Sequence, residues 1–340
     1  MPQDSGKPGL GEEHIPPGEA GQIERITAIH LSVTDPGARP VPRGQHMKNH
    51  GCVRAEFVVE PDLPDPLRHG VFSSPRAFPA YIRYSNGKGY DDRRADAHGM
   101  AIKLVGVAGE KLLEDERDAS TQDFILIDHP IFFIKDVADY VPFMEDFRRL
   151  RSPGLTPGKI IAGLKLFLSP DYKWRLLRAT GSKKPDSPLR IQYWSTTPSR
   201  LGPSAVKYTA RPVPAGAPTV PAFDSPDMLR LAMADHLKAD EARFDFLVQV
   251  QTDPAAMPVE DPTIDWGAPW QKVATIRIPP QSFDSPGQMA FCEDLSFTPW
   301  HSLPEHRPLG GINRTRKAVY RAISKQRHEL NRTPRREPTE

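Results

Sequence analysis

The loop PRGQHMKNHG, residues Pro42–Gly51, leads directly into the stretch CVRAEFVV, residues Cys52–Val59. The second stretch is rich in β-branched and aromatic residues and predicts a strand. The loop collects an arginine, a lysine and two histidines, which suits an anionic ligand with a reactive centre. A polar surface loop is the alternative that this stretch alone leaves open.

Outward from this loop, short strand patterns alternate with turn residues, and helical patterns occupy separate blocks. The further predicted strands are Ala80–Ser85, Gly99–Val105, Gln122–Ile127, Leu189–Tyr193, Ala205–Ala210, Phe244–Gln251 and Lys272–Ile278. The predicted helices are 137–150, 159–167, 172–179, 228–240 and 314–327, while 23–33 fits either a helix or an extended arm. This spacing predicts an α+β fold built on an antiparallel barrel rather than a doubly wound sheet.

Composition narrows the class of protein. The 340 residues are 38% hydrophobic and 26% charged, which predicts a globular chain. The net charge of +2 argues against a dedicated nucleic-acid binder, and no apolar run is long enough to span a bilayer. The first residues lack the order of a signal peptide, so a cytoplasmic location is expected. Cys52 and Cys292 have no CxxC spacing and are predicted to be small core residues rather than zinc ligands.

The chain divides into three predicted regions. Residues 1–22 are rich in Gly, Pro and Glu and predict a flexible arm. Residues 23–330 form the domain, and the polar residues 331–340 predict a disordered tail. The sequence leaves a homo-oligomer open.

Five short motifs follow one another along the domain, at Arg43–His46, Ile82–Ser85, His98–Lys103, His129–Asp136 and Arg316–Tyr320. In this order they resemble the Arg-x-x-His, Arg-Phe-Ser, Arg-Gly-Phe-Ala-x-Lys, Thr-Pro-x-Phe-Phe-x-Arg-Asp and Arg-x-x-x-Tyr motifs of the heme catalase superfamily. The resemblance points in particular to its compact members, the minimal catalases and the related allene oxide synthases. It implies a catalase-type antiparallel β-barrel with surrounding helices and a C-terminal helix on the proximal side of heme b.

The proximal ligand implied by the resemblance is Tyr320. A tyrosine phenolate is a known axial ligand of heme iron. A free phenol is protonated at neutral pH, so Tyr320 must lose its proton, and the charge of Arg316 one helical turn earlier favours that loss. Without the other motifs, an ordinary amphipathic helix explains this pair better.

The distal base implied by the resemblance is His46. A neutral imidazole can take a proton from peroxide and return it to the departing oxygen. Ser85 is expected to hold the imidazole by a hydrogen bond, and Gln45 is a candidate contact for the substrate. His50 is the rival base, but only His46 follows an arginine at the family spacing.

Cations and aromatic residues complete the predicted site. Heme carries two propionates that need cationic partners, and Arg43, Arg83 and Arg327 stand at the family positions. Arg327 read alone is also consistent with a basic tail. Phe132 and Phe133 are expected to wall the distal side or to be plain core.

One position departs from the family pattern. Catalases have a distal asparagine five residues before the first Phe of the Phe-Phe pair, and Ile127 stands there. The expected function is therefore heme-dependent cleavage of hydrogen peroxide or organic hydroperoxides, with fast catalase turnover in doubt. Fatty-acid hydroperoxide rearrangement of the allene oxide synthase type and a catalytically weak heme-binding protein are the alternatives.

Overall fold

The regular structure consists of nine strands and six helices, within the residues that the computed structural model describes: 8–34, 37, 39–87, 89–151, 154, 156–168, 183–214 and 223–338. The helices are α1 (Glu19–Ser32), α2 (Val137–Arg151), α3 (Pro157–Leu168), α4 (Met228–Leu237), α5 (Pro286–Asp294) and α6 (Gly311–Asn331). The strands are β1 (Lys48–Val59), β2 (Ala77–Asn86), β3 (His98–Val105), β4 (Thr121–Ile127), β5 (Tyr193–Trp194), β6 (Ser199–Leu201), β7 (Ser204–Val213), β8 (Ala242–Val250) and β9 (Trp270–Ile278). Short 3-10 turns lie at Asp65–Leu67, Gly70–Phe72, Glu114–Glu116, Pro188–Arg190 and Pro304–His306.

Eight of the strands form a closed antiparallel barrel. Strands β1 to β5 pair in chain order, each with the next. Strand β7 pairs with β8, β8 pairs with β9, and β9 pairs with β1. The two residues of β5 close the ring, because Trp194 pairs with Ile127 of β4 and with Thr209 of β7. The short strand β6 is an extra hairpin partner of β7. The predicted α+β class with an antiparallel barrel is therefore confirmed.

Aromatic side chains fill the interior of the barrel. The ring centroids of Phe57 and Phe246 are 5.0 Å apart, and Phe124 lies 5.0 Å from Phe246 and 5.1 Å from Tyr208. An eight-stranded barrel is only wide enough for its own side chains or one small ligand. This interior is packed, so a large ligand must bind on the outer face.

The outer face of the barrel carries polar residues under the helices. Along β2, Ile82 and Tyr84 point into the core, and the alternation of a strand sends Arg83 and Ser85 outward. Helices α1, α2 and α6 pack together in a second apolar cluster, which includes Ile26, Ile134, Tyr140, Ile312 and Val319. No helix of the described residues has both the length and the apolar character needed to cross a membrane.

The two cysteines correct an expectation from the sequence. Cys52 and Cys292 are both buried, as predicted, but they are joined in a disulfide across 240 residues. Cys52 lies on the outer face of β1, and Cys292 lies on α5, which packs over that face. Spacing along the chain carries no sign of this pairing, because the fold alone brings the two residues together.

Local sequence explains where other elements differ from prediction. The predicted strand 189–193 is a 3-10 turn followed by β5, because Ser187 accepts a hydrogen bond from the Leu189 amide and Pro188 follows it. Helix α5 was not predicted, although Ser285 and Gln288 form a capping box at its start. Residues 23–32 belong to helix α1, and the helix predicted at 172–179 lies outside the described residues.

Both predicted terminal regions make ion pairs with the domain where the structure describes them. In the arm, Glu13 and Glu19 contact Arg314 of α6 at 2.7 and 2.6 Å. In the tail, Glu337 lies 3.1 Å from the buried Lys103 of β3, and Arg335 pairs with Glu116. The flexible arm and the disordered tail remain predictions, and these contacts say only where the two segments meet the domain.

Candidate functional site

Four neighbouring strands each place one residue in a row on the outer face of the barrel. This outer row is Asn49, Ser85, Gly99 and Ile127, which are paired in sequence from β1 to β4. Directly opposed residues of antiparallel strands point to the same face. His46 lies over the row, because its Nδ1 is 3.2 Å from Ser85 Oγ.

Gly99 makes room for the imidazole. A Cβ at this position would lie 2.6 Å from His46 Nδ1 and 2.8 Å from Ser85 Oγ. Contacts this short do not occur, so the outer row accepts the ring only because the third strand has no side chain there. The predicted contact between Ser85 and His46 is present, and it engages Nδ1 rather than Nε2.

The backbone of His46 is held in a sparsely populated conformation. Its φ is +53°, in the left-handed region that non-glycine residues rarely adopt. The His46 amide donates to Gly87 O at 3.0 Å, and Arg83 donates to His46 O at 2.9 Å. A strained backbone conformation persists where several surrounding contacts fix it, and such positions are concentrated at functional sites.

The surroundings also keep the ring neutral. Burial, and after it the Arg83 cation, lower the pKa of His46 to about 4, against the opposing effect of Asp128 and Asp96. Near pH 7 the imidazole is therefore uncharged and can accept a proton.

His50 lies in a different network. Its Nε2 is 2.8 Å from Asn86 Oδ1, and Asn86 donates to Asp92, which pairs with Lys48 at 2.6 Å. Burial lowers the pKa of His50 to about 3. These contacts are those of a buried structural histidine, and none of them involves Ser85 or the outer row.

Three arginines from three elements meet beside His46. We call Arg43, Arg83 and Arg327 the arginine cluster; they come from the loop before β1, from β2 and from α6. All three surround Glu293 of α5, whose carboxylate lies 3.5 Å from Arg43 and 4.0 Å from each of the others. The structure thus brings together the three cations that the sequence predicts as propionate partners.

The arginine cluster has more positive charge than its surroundings neutralise. Burial, followed by repulsion from Arg43, lowers the pKa of Arg83 to about 9, and the same two causes lower that of Arg327 to about 10. The Nε atom of Arg83 is buried without a hydrogen-bond acceptor, and that of Arg43 has only the Glu293 carboxylate, at 3.5 Å. Glu293 is the single carboxylate within 4.0 Å of the three guanidinium groups among the described residues. Such a site fits a further anionic group.

One face of α6 completes the site. Arg316, Tyr320, Ile323 and Arg327 follow one another at helical spacing and share that face. Ile323 packs under the loop that carries His46, since a Cβ at Gly44 would lie 3.0 Å from Ile323 Cδ1. Tyr320 is half-buried on this face, one turn after Arg316.

Arg316 is positioned by two neighbours. It donates a hydrogen bond to Thr197 at 3.0 Å, and its guanidinium lies 5.6 Å from the centre of the Phe132 ring. The rings of Phe132 and Phe133 are tilted against each other with centroids 4.7 Å apart, and both belong to the apolar cluster of the helices. Both phenylalanines are therefore part of the core, and Phe132 also lies against Arg316.

Tyr140 of α2 is a site residue that sequence reasoning missed. Its hydroxyl lies near Gln45, Arg316 and Tyr320, and burial raises its pKa to about 12. It also lies 3.4 Å from His30 Nε2 of α1. The predicted helix 137–150 contained Tyr140, but no motif distinguished it from a core residue.

The apolar end of the outer row is Ile127. The next residue, Asp128, points to the opposite face and binds His98 Nδ1 at 2.8 Å. Asp128 therefore places no oxygen on the face that carries His46. The outer row has the apolar side chain of Ile127 at the position where the motif pattern has an asparagine.

Glu293 was also missed by sequence reasoning, because the short helix that carries it was not predicted.

Comparison with solved structures finds close matches in architecture. The chain superposes on a bacterial catalase (TM-score 0.59, 16% identity, 99% of this chain and 67% of that one). It superposes equally on a fungal catalase (TM-score 0.59, 16% identity, 98% and 66%). Catalase A from Saccharomyces cerevisiae matches with a TM-score of 0.62, 15% identity and coverage of 97% and 68%. The chain folds like a catalase.

The catalase fold is reached here with little sequence in common. No protein-family model matches the chain, and no curated protein matches it. The chain spans about two thirds of the length of the catalases it resembles. Shared architecture therefore accounts for the barrel and its helices, while the chemistry has to be argued from the side chains of the outer row, the arginine cluster and α6.

Proposed function

We propose that this chain binds heme b, with Tyr320 as axial ligand, and cleaves hydrogen peroxide or organic hydroperoxides with His46 as the base. The observation that carries the proposal is the arginine cluster, in which three guanidinium groups share the half-exposed carboxylate of Glu293 and the buried Nε donor of Arg83 has no acceptor. Assembling three guanidinium groups costs free energy through repulsion and desolvation. A ligand with two carboxylates would offset that cost.

The residues present fit heme on chemical grounds. Its two propionates match the arginine cluster, and the aromatic rings of Phe132 and Phe133 offer an apolar wall nearby. Tyr320 is the phenol on the face of α6 that also carries Arg327 two turns later. Arg316 supplies a fixed positive charge on the same face, one helical turn before Tyr320.

Bound heme would supply the iron centre at which the O–O bond is cleaved. His46 transfers the proton during this cleavage. With Nδ1 donating to Ser85 Oγ, Nε2 carries the lone pair that accepts the proton from one peroxide oxygen. The same Nε2–H then returns the proton to the departing oxygen, so the imidazole ends as it began. Ser85 and Arg83 keep the ring and its backbone in place.

Ile127 and Gln45 set the substrate preference that we propose. An apolar side chain closes the outer row where an amide would orient hydrogen peroxide, and Gln45 is exposed beside His46. This combination favours an organic hydroperoxide, whose carbon chain can contact Ile127. It also supports a second candidate, rearrangement of a fatty-acid hydroperoxide, which needs no external reductant.

Titration with hemin tests the cofactor. The wild-type chain is expected to take up hemin with the absorbance spectrum of a ferric phenolate complex. Tyr320→Phe should weaken retention and abolish that spectrum. A wild-type chain that stays colourless with hemin refutes the proposal.

Substitution of the two histidines tests the base. His46→Ala should keep hemin and lose peroxide cleavage, whereas His50→Ala should keep cleavage per bound hemin. The opposite result assigns the base to His50. Product analysis with a fatty-acid hydroperoxide, with and without an electron donor, separates reductive cleavage from rearrangement. Hemin binding without either reaction leaves only a binding protein.

The location follows from a separate argument. Disulfides are rare in the reducing cytoplasm, and Cys52–Cys292 therefore favours an oxidising compartment over the cytoplasmic location expected from the first residues. Thiol labelling of the protein taken directly from its native cells tests this, because two labelled cysteines indicate a reducing compartment.

A further inference from the structure

A strained turn lies beside the guanidinium group of Arg316. Thr196 has a φ of +62°, which is rare for a β-branched residue, and its buried hydroxyl has no hydrogen-bond partner among the described residues. The Thr197 amide donates to Ser195 O at 2.7 Å, and such a bond around a residue of positive φ marks the strained type of γ-turn. Backbone strain of this kind is concentrated where the position of a side chain matters for function.

The turn fixes Thr197, whose hydroxyl is shared by two residues of α6. This hydroxyl accepts a hydrogen bond from Arg316 Nη1 at 3.0 Å and donates one to Asn313 Oδ1 at 3.0 Å. Ser195 holds the turn, because its hydroxyl donates to Thr197 O and accepts from the Tyr208 amide of β7, both at 3.0 Å. Thr197 therefore connects the barrel to Arg316.

Asn313 is the second residue that holds Arg316, and its amide has a fixed orientation. The amide nitrogen donates to Pro198 O and to Leu309 O, both at 2.8 Å. Both amide hydrogens are used in this way, so Oδ1 faces Thr197 and Arg316, whose Nη1 lies 3.5 Å away. A buried amide with every donor satisfied keeps its place.

Neutral groups hold Arg316 within the part of the chain that the structure describes. Its hydrogen-bond acceptors there are a hydroxyl and an amide oxygen. Arg314, two residues earlier on α6, is by contrast paired with three carboxylates. A carboxylate cancels much of the field of a guanidinium group, whereas a hydroxyl or an amide does not. The charge of Arg316 is therefore kept on the face of α6 that carries Tyr320, one helical turn later.

We propose that Thr197 and Asn313 are positioning residues, which keep the charge of Arg316 beside the axial ligand and thereby raise the reduction potential of bound heme. This inference rests on the proposed function, in which Tyr320 is that ligand. Interactions around the axial ligand are one means by which a protein tunes heme iron. A fixed positive charge stabilises the ferrous iron, which carries one positive charge less than the ferric iron. Displacing Arg316 should therefore lower the midpoint potential.

Reductive titration of the hemin-loaded full chain with dithionite and mediator dyes is the test. Thr197→Val keeps the outline of the side chain and removes the hydroxyl that binds Arg316. The midpoint potential should fall by about 59 mV, which is a change of about tenfold in the ratio of ferrous to ferric protein. A unit charge that moves from about 6 to about 12 Å away has an effect of this size at an effective dielectric constant of about 20. Thr197→Ser restores the hydroxyl and should restore the wild-type potential.

Thr315→Val is the matched control for the loss of a buried hydroxyl. Thr315 is also buried on α6, but its hydroxyl donates to Gly311 O, and its variant should keep the wild-type potential. Each valine variant loses a buried hydrogen bond, so a similar loss of stability is expected in both, and only the potential separates them. If valine at position 197 prevents folding, Thr197→Ala should give the same fall in potential.

The outcomes separate this inference from the proposed function. Equal potentials in the wild type, Thr197→Val and Thr315→Val overturn the inference and leave the binding of hemin in place. A Thr197→Ser variant that folds, binds hemin and keeps the lowered potential overturns it as well. A wild-type chain that takes up no hemin overturns the proposed function, and the inference falls with it.

Discussion

Gly99→Ala probes the position of His46 without changing any group that bears a proton. The added methyl would lie 2.6 Å from His46 Nδ1 and 2.8 Å from Ser85 Oγ. Gly99 has no positive φ, so alanine fits the backbone, and the whole effect falls on the neighbours. The half-buried imidazole on its loop gives way more readily than Ser85, which is fixed on β2.

The size of the effect follows from the distance. Ordinary contact begins near 3.4 Å, so the ring must retreat by about 0.8 Å. A misplacement of about 1 Å at a reacting group can cost about 100-fold in rate. We therefore expect about a 100-fold loss of peroxide cleavage per bound hemin. Overpacking should lower the free energy of unfolding by about 1–3 kcal/mol.

Stopped-flow measurement of peroxide consumption, normalised to bound hemin, gives the rate. The hemin spectrum should stay that of the wild type, because the arginine cluster and Tyr320 are untouched. Gly287→Ala, in α5 with nothing within 4 Å of the added methyl, is the matched control and should react like the wild type. A Gly99→Ala variant that binds hemin and reacts at the wild-type rate refutes the assignment of His46 as base.

Three further outcomes are expected. Arg327→Leu removes a charged partner of the predicted propionates and should speed hemin loss to apomyoglobin by about 10- to 100-fold. Ile127→Asn should raise oxygen evolution from hydrogen peroxide by about tenfold and leave hemin retention unchanged, because it adds an amide to the outer row. Burial lowers the pKa values of His30, His50 and His306 to about 4, 3 and 3. Unfolding therefore takes up protons. The free energy of unfolding should fall as the pH drops from about 6.5 to 4, by up to about 1.4 kcal/mol per pH unit for each histidine, and urea midpoints should fall with it.

Each of these has a result that contradicts it. Arg321→Leu, an exposed arginine on the same helix, should not change hemin loss, and an equal effect would show that Arg327 acts only through helix stability. Unchanged oxygen evolution in hemin-loaded Ile127→Asn would mean that Ile127 does not limit turnover. Urea midpoints that stay flat between pH 6.5 and 4 would mean that the three histidines are not held neutral.

The barrel could be predicted from the sequence because strand alternation is local. The pattern of Ala80–Ser85 puts every second side chain into a packed interior, and the neighbouring strands repeat it. The resemblance to the catalase motifs implied Arg43, Arg83 and Arg327 as one group, and the structure gathers them around one carboxylate. These predictions depend on short stretches of chain and on helical or strand periodicity.

The remainder of the site depends on contacts between distant segments. Glu293 comes from a nine-residue helix with one fully buried side chain, too short and too polar for a periodic signal. Cys292 beside it meets Cys52 only because α5 crosses the outer face of β1. Tyr140 resembles a core tyrosine until Gln45, 95 positions earlier, is placed next to it. The periodicity of a single helix or strand gives no sign of any of these pairs.

The arginine cluster has a consequence for the protein without a ligand. Arg43 donates to the carbonyl groups of Cys292, Glu293 and Leu295, so the end of α5 and the Glu293 carboxylate together hold the cations. The Cys52–Cys292 disulfide fastens that helix end to the barrel directly above Arg83, which pairs with Cys52 across β1 and β2. The same few residues thus keep three repelling guanidinium groups in place before any anion arrives. A preorganised cationic site loses little entropy on binding, which is the condition under which a dicarboxylate ligand is held tightly.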